Sequence, residues 1–367
     1  MKVTSFLKHW LFTLILLVSL FQTTHAQKFE AKIDSLLNSK YESKVPGAVF
    51  LIAKNGNVIY KKAFGLANLE LNTPMEPEYV FEIGSITKQF TAIAILMLLE
   101  KGELNLNDDI TKYIPDYPTH GETITIHHLL NHTSGIKSYT RMKALKDIAT
   151  KDLTPIELID FFKNEPMDFK PGEKYKYNNS GYIILGYIIE SISKQSYASF
   201  IEEHIFKKLD MNSSLFASHR KVIKNRASGY HKKEDYINAM HISFTLPYAA
   251  GSLMSNVDDM LTWQEAITHN RLVRKNTIDK AFINYTLNNG DPINYGYGWH
   301  IKEINGTPSR EHGGSIFGFK SMGVYLPLKD IYVIGLNNCD CNSPTKITRE
   351  IAKLAIDEFV ELENDKN

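Results

Sequence analysis

A chain of 367 residues, 43% of them hydrophobic and 23% charged, can bury one large core or two ordinary ones, and nothing in that composition suggests disorder. A formal charge of +1 supplies no net field to hold nucleic acid or an anionic membrane surface, which sets those partners aside. The only cysteines, Cys339 and Cys341, are too close along an extended chain for an unstrained bridge and lack the histidine spacing of a zinc site. Two unpaired or weakly oxidised thiols without a catalytic role are the expectation.

Residues 1–26 differ from the rest. Lys2 and Lys8 precede the apolar run Trp10 to Phe21, and Thr24-His25-Ala26 offers small residues for a cut before Gln27. The run is shorter than the ~20 residues a membrane span needs, and no cysteine follows it to carry a lipid. This predicts a cleaved export signal, a periplasmic or secreted product and no stable membrane anchor.

Phe29 to Leu37 then reads as an amphipathic helix. Gly47 to Ala53 and Asn57 to Ala63 read as two strands joined across Asn55-Gly56, a strong hairpin signal. From Phe90 to Leu99 nearly every residue is Ala, Ile, Leu or Met, the pattern of a helix buried on all sides, and Gly102 supplies its stop. Leu104 to about Tyr248 is dominated by helix and loop signals cut by prolines, with Ile156 to Phe162 and Tyr182 to Ile192 as its clearest apolar faces. Strand signals return at Tyr297 to Ile301, Lys320 to Leu326 and Ile331 to Leu336, before a final helix from Pro344 to Leu362. Strands at both ends with helices between predict an α+β chain: an antiparallel sheet flanked by helices, an α/β/α sandwich, with an inserted all-helical lobe. The sheet lobe should comprise about 27–84 and 250–367 and the helical lobe about 103–249, together one catalytic domain over 27–367.

Three stretches carry chemistry. Ser85 and Lys88 stand three apart at the mouth of the buried helix, so one face can hold both and the hydroxyl can pass its proton to the amine. The spacing alone is common, recurring at Ser5, Ser134, Ser191, Ser218 and Ser343, but only Ser85 opens a buried helix, where developing negative charge is favoured. In the second stretch, Tyr177 and Asn179 lie on a loop just before an apolar helix. A phenol beside a lysine ammonium is a candidate base, and Asn179 can hold a substrate amide together with the lysine. In the third, His312-Gly313-Gly314-Ser315 places two glycines at a strand edge where a substrate backbone can approach, and the amides of Ser315 and Ser85 can pair on an oxyanion.

Taken in order, Ser85-x-x-Lys88, Tyr177-x-Asn179 and His312-Gly313-Gly314 resemble the three motifs of the penicillin-recognising serine hydrolases: class C β-lactamases, D-Ala-D-Ala carboxypeptidases and their esterase and D-aminopeptidase relatives. Supporting stretches are similar too, among them Ile126 to Ile136, Ala249-Ala-Gly-Ser252 and Tyr297-Gly-Trp299, so the resemblance spans about Val45 to Asn338. It implies the β-lactamase/transpeptidase-like fold with the site between sheet and helical lobe. It also implies attack by Ser85 to give an acyl-enzyme, proton traffic shared by Lys88 and Tyr177, and release by water. Asn179, His312, Gly313, Gly314 and Ser315 would bind a small-molecule or peptide substrate, cell-wall peptide included. No cofactor is called for, and the histidines at 127, 128 and 132 follow no metal-site pattern.

One departure bears on substrate. Where β-lactamases carry Lys-Thr/Ser-Gly this chain has His312-Gly313-Gly314, so the permanent cation and the hydroxyl that meet a substrate carboxylate are both altered. The expectation is a partly charged imidazole, weaker recognition of penicillin-type carboxylates and a bias toward esters or peptide-like amides. The order of expectation is peptidase or β-lactamase-like amidase, then carboxylesterase, with a penicillin-binding receptor that does not turn over as the rival from outside the enzyme class.

Overall fold

The computed structural model describes residues 27–364. Helix α1 (residues 27–38) leads into the hairpin β1 (Ala48–Lys54) and β2 (Asn57–Phe64). Lys54 pairs with Asn57 across Asn55 and Gly56, both at positive φ, as the Asn-Gly signal requires. Four strands near the other end complete the sheet: β3 (His300–Ile304), β4 (Thr307–Ile316), β5 (Phe319–Leu326) and β6 (Ile331–Asn337). The order is β3-β4-β5-β6-β1-β2, antiparallel throughout, and the β6–β1 pairing joins segments nearly 280 residues apart.

Both faces of β1 are buried, which explains its unbroken apolar run. Ala48, Phe50 and Ile52 pack with Phe29, Ile33 and Leu37 of α1 and with Ile347, Ile351 and Ala355 of the last helix. Val49 and Leu51 face the opposite core, shared with α2 (Thr87–Glu100) and the helical lobe. Each such leucine or isoleucine is worth about 1.5–3 kcal/mol on burial. In α2 every residue from Thr87 to Leu98 is buried; the chain then turns away at Gly102, φ +73, whose N–H bonds Leu99 O while that of Glu103 bonds Leu98 O.

The helical lobe contains α3 (Ile126–Leu130), α4 (Pro155–Phe162) and α5 (Asn179–Ser193). Gly186 of α5 leaves room for the short turn Tyr248–Gly251, since a Cβ there would stand 2.4 Å from the Tyr248 ring. That crossing brings the turn against α2. Helix α6 (Val257–Thr268) and α7 (Thr345–Asn364) cover opposite faces of the sheet.

Three expectations are corrected. Strand β4 is far longer than the strand edge expected at the glycines after His312: its Thr-Pro-Ser-Arg-Glu-His-Gly-Gly-Ser-Ile sequence shows no apolar alternation because β4 is specified by its neighbours. It enters through a second Asn-Gly turn, Asn305-Gly306, after which Ile304 pairs with Thr307. Strand β3 begins at His300, three residues later than Tyr297. The cysteines are bridged, because residues 339–341 form a turn that brings the two Cα atoms to 5.1 Å, closer than an extended chain allows. The proposed export signal, residues 1–26, lies outside the described residues.

Candidate active site

Ser85 occupies a single 3-10 turn, Gly84–Ile86, that feeds directly into α2, so the α-helix proper starts two residues later than the sequence suggests. Gly84 at φ +51 makes this turn, a conformation that costs glycine little. Lys88, on the first turn of α2, is fully buried and places Nζ 3.2 Å from Ser85 Oγ. Its other bond goes to Ala250 O at 2.7 Å, on the turn that α5 presses against α2. Among the described residues no carboxylate pairs with it, and burial pushes the amine well below its ordinary range.

Tyr177 reaches the same point from the helical lobe. Lys88 Nζ stands 4.9 Å from the centre of its ring and 5.5 Å from that of Tyr182. Among the described residues the buried Tyr177 hydroxyl has no hydrogen-bond partner; Ser85 lies near enough to favour its ionisation, yet the pair falls short of hydrogen-bond geometry. Desolvation dominates and raises the phenol far above its usual value. This reverses the sequence expectation of a phenolate held by an ammonium. The environment instead disfavours charge on both groups around the serine.

Asn178 caps α5, its side-chain oxygen accepting from Gly181 N–H, and Asn179 is the first helical residue rather than a loop residue. Asn179 Nδ2 donates to Thr140 Oγ1 at 3.2 Å, so the lysine is held by Ala250 and not by Asn179. Asn179 does line the cleft of about 240 Å³ in front of Ser85, with Thr140, Leu246 and Phe317 beside it and Ser315 completing the group. A second cavity, about 330 Å³, lies beyond Ile242 and Phe317 against the Glu82–Arg226 ion pair and touches neither Ser85 nor Lys88.

Strand β4 brings the third motif. Beyond Glu311 it has lost β3 and pairs only with β5, so residues 312–316 offer a free edge facing the Ser85 turn. Gly314 is forced by that contact: a Cβ would stand 2.0 Å from Ile83 O and 2.2 Å from Ser321 Oγ. A Cβ on Gly84 would likewise stand 2.8 Å from Ser315 N, which sets the Ser315 amide beside the nucleophile's turn. Gly313 lies on the opposite face of the strand, where a Cβ would stand 3.3 Å from Ser321 O and 3.4 Å from Met322 Sδ. Lys320, opposite Ser315 in register, donates to Ser315 Oγ at 2.7 Å and is the cation at this rim.

His312 does not meet the expectation of a partly charged imidazole. It is only 2% exposed; Nδ1 lies 2.7 Å from Gly313 O and Nε2 lies 3.1 Å from the Tyr295 hydroxyl. One N–H donated and one lone pair accepting describe a neutral ring. Burial first, then His300 and Lys88, holds it well below its usual value, and burial also lowers His300 to about 4. Sequence reasoning missed the carbonyl of Ala250 and the ring of Tyr295; the Ala-Ala-Gly-Ser and Tyr-Gly-Trp stretches near them were visible, but not what they would touch.

The sheet, the helical lobe and the Ser-Lys-Tyr grouping between them define the β-lactamase/transpeptidase class of fold. Residues 25–356 match the Beta-lactamase family, and the chain belongs to it. It is 31% identical over 291 residues to penicillin-binding protein 4* of Bacillus subtilis and 28% identical over 330 residues to protein flp of Staphylococcus aureus, covering 74% and 88% of this chain. The matches span 63% and 65% of those relatives' own length. Among solved structures, the octameric penicillin-binding protein homologue from Pyrococcus abyssi matches with a TM-score of 0.76 at 33% identity, over 90% of this chain and 77% of that one. D-amino acid amidase from Ochrobactrum anthropi shares the fold, with a TM-score of 0.77 at 21% identity over 91% and 99% of the two chains.

Proposed function

We propose that this chain is an exported serine hydrolase that acts through an acyl-enzyme at Ser85 on peptide-like amides or β-lactams. The observation that carries the reading is Lys88 Nζ, buried and without a counter-charge, 3.2 Å from Ser85 Oγ. A neutral amine there accepts the serine proton as Oγ attacks the substrate carbonyl. The Tyr177 phenol relays that proton to the leaving group, and the amides of Ser85 and Ser315 hold the oxyanion, each such donor being worth about 3 kcal/mol in the transition state. Water then releases the acyl group. The 31% identical relative from Bacillus subtilis is named a penicillin-binding protein, which supports acylation by β-lactams.

The cleft carries a second reading, carboxylester hydrolysis. Its lining includes Ser85, Asn179 and Ser315 among apolar side chains, and His312 behind it is neutral. A substrate without a carboxylate loses little there.

Intact-mass analysis after exposure to a fluorophosphonate and to a penicillin tests the mechanism. The expected result is one covalent adduct on the wild type and none on Ser85→Ala; an adduct that persists in the variant moves the nucleophile elsewhere. Sustained turnover of p-nitrophenyl esters or a chromogenic cephalosporin supports an enzyme, and a burst without turnover a receptor. Export rests on residues 1–26; among the described residues no helix is long and apolar enough to cross a membrane.

A further inference from the structure

We propose that His132 is a positioning residue for Tyr177, holding the tyrosine's loop by a hydrogen bond on each side of it. The carbonyl of His132 accepts from Lys176 N–H at 3.1 Å, and its ring Nδ1 accepts from Asn178 N–H at 3.2 Å. Lys176 and Asn178 are the residues immediately before and after Tyr177, so one residue ties down the chain on both sides of the phenol, and the Asn178 bond holds the 177–178 peptide itself.

Its own surroundings fix His132 in turn. It is 1% exposed, and its ring centre lies 4.3 Å from that of Tyr177, 4.7 Å from Tyr295 and 5.2 Å from Tyr182. An Nδ1 that accepts an amide proton carries none itself, so the neutral ring has its proton on Nε2, buried among these rings without a partner among the described residues. The backbone adopts φ +64, a conformation sparsely used outside glycine and asparagine. An unpartnered donor and a left-handed backbone at one residue both cost stability, and both are retained here where the residue touches the proposed proton shuttle.

The chemistry explains why histidine is placed here. Asn178 is the N-cap of α5, so its N–H lies outside the helix's own hydrogen bonds, and burial requires an acceptor from elsewhere. The imidazole supplies that acceptor and fills the space between three tyrosine rings. Its neighbours extend the clamp: Gly172 N–H bonds Thr133 O, Asp168 N–H bonds Gly135 O, and Asn178 Nδ2 donates to Ile136 O. The segment 132–136 is therefore a frame for the loop that delivers Tyr177, and His132 is the member whose side chain takes part.

This inference rests on the serine-hydrolase reading, and the test separates the two. Three variants of the intact protein are compared with wild type for the rate of fluorophosphonate labelling, followed by intact mass across probe concentrations, with a thermal melt of each. His132→Asn keeps an acceptor near the Nδ1 position and tolerates the left-handed backbone; His132→Leu has similar bulk without the acceptor; His132→Gln fills the space but carries its amide one bond too far. The maximal rate should fall by about tenfold or more in Leu and Gln, the scale expected from slight misplacement of a catalytic group. It should stay within about threefold in Asn, with half-saturating probe unchanged throughout. If Leu does not fold, Gln carries the comparison. Wild-type rates in both Leu and Gln, or an equal fall in all three, overturn the role of His132. A wild type that takes no label overturns the serine-hydrolase reading itself, and this inference with it.

Discussion

Lys88 Nζ donates to the carbonyl oxygen of Ala250 at 2.7 Å, and a carbonyl, unlike a carboxylate, gives a buried amine a partner without giving it a counter-charge. The consequence is a lysine that burial drives toward its neutral form. The acid limb of the acylation rate against pH should therefore fall well below pH 10, where an ordinary lysine would place it. Lys88→Met should lose about a thousandfold or more in acylation, and Tyr177→Phe somewhat less, within the 10²–10⁴ range of a general acid or base. A limb near pH 10 would mean that Lys88 keeps an ordinary proton affinity and is not the base.

The same burial makes a stability prediction whose sign is fixed. Between the lowered native pKa and the unfolded value of about 10.4, the unfolded chain binds one proton more than the native chain. Wild-type stability thus includes a penalty at neutral pH that fades as pH rises toward 10, each tenfold weakening of proton affinity costing about 1.4 kcal/mol. Lys88→Met removes the titration. Its stability relative to wild type should be most favourable near pH 7 and decline toward pH 10, as read from denaturant midpoints at several pH values. A difference independent of pH would show that the native amine is protonated like the unfolded one.

Gly314→Ala tests the close approach of β4 to the nucleophile's turn. The new methyl would sit 2.0 Å from Ile83 O, a backbone atom that cannot rotate away. Strand and turn must separate, at a cost of about 1–3 kcal/mol, the usual range for overpacking, and the Ser315 amide moves off the serine. Labelling of Ser85 should fall by about a hundredfold or more, as when an oxyanion donor is lost. Gly313→Ala is the comparison: its methyl would stand 3.3 Å from Ser321 O and 3.4 Å from Met322 Sδ on the other face, away from Ile83, so labelling should fall far less than in Gly314→Ala.

The sequence displayed what local pattern controls. The Asn55-Gly56 hairpin, the helix buried on all sides and the serine at its mouth followed from residue type and period, because each is decided within a dozen residues. Strand β4 did not, since its glycines and polar residues are selected by contacts with Ile83 and Ser321, more than two hundred residues away for the former. His312 shows the same limit: its residue type predicts a switch near neutral pH, but the Tyr295 hydroxyl and the Gly313 carbonyl hold it neutral, and neither pairing can be read from one motif. The cysteine bridge escaped for a similar reason, because it depends on a turn rather than on spacing alone.

Glu311, one residue before His312, ties β4 to the last helix. Its side chain is buried, one carboxylate oxygen accepts from Arg349 of α7 and lies 3.3 Å from Lys302, and the other has no partner among the described residues. Arg349→Ala would leave a buried carboxylate with only the half-exposed Lys302, so the loss exceeds that of a surface pair. It should cost about 2 kcal/mol, below the 3–5 expected for a fully buried pair because both cations reach solvent. Glu311→Gln in the Arg349→Ala background should recover part of this by discharging the orphaned group, a negative coupling that a double-mutant cycle reads directly. Simple additivity of the two substitutions would place the role of Arg349 in packing α7 rather than in neutralising Glu311.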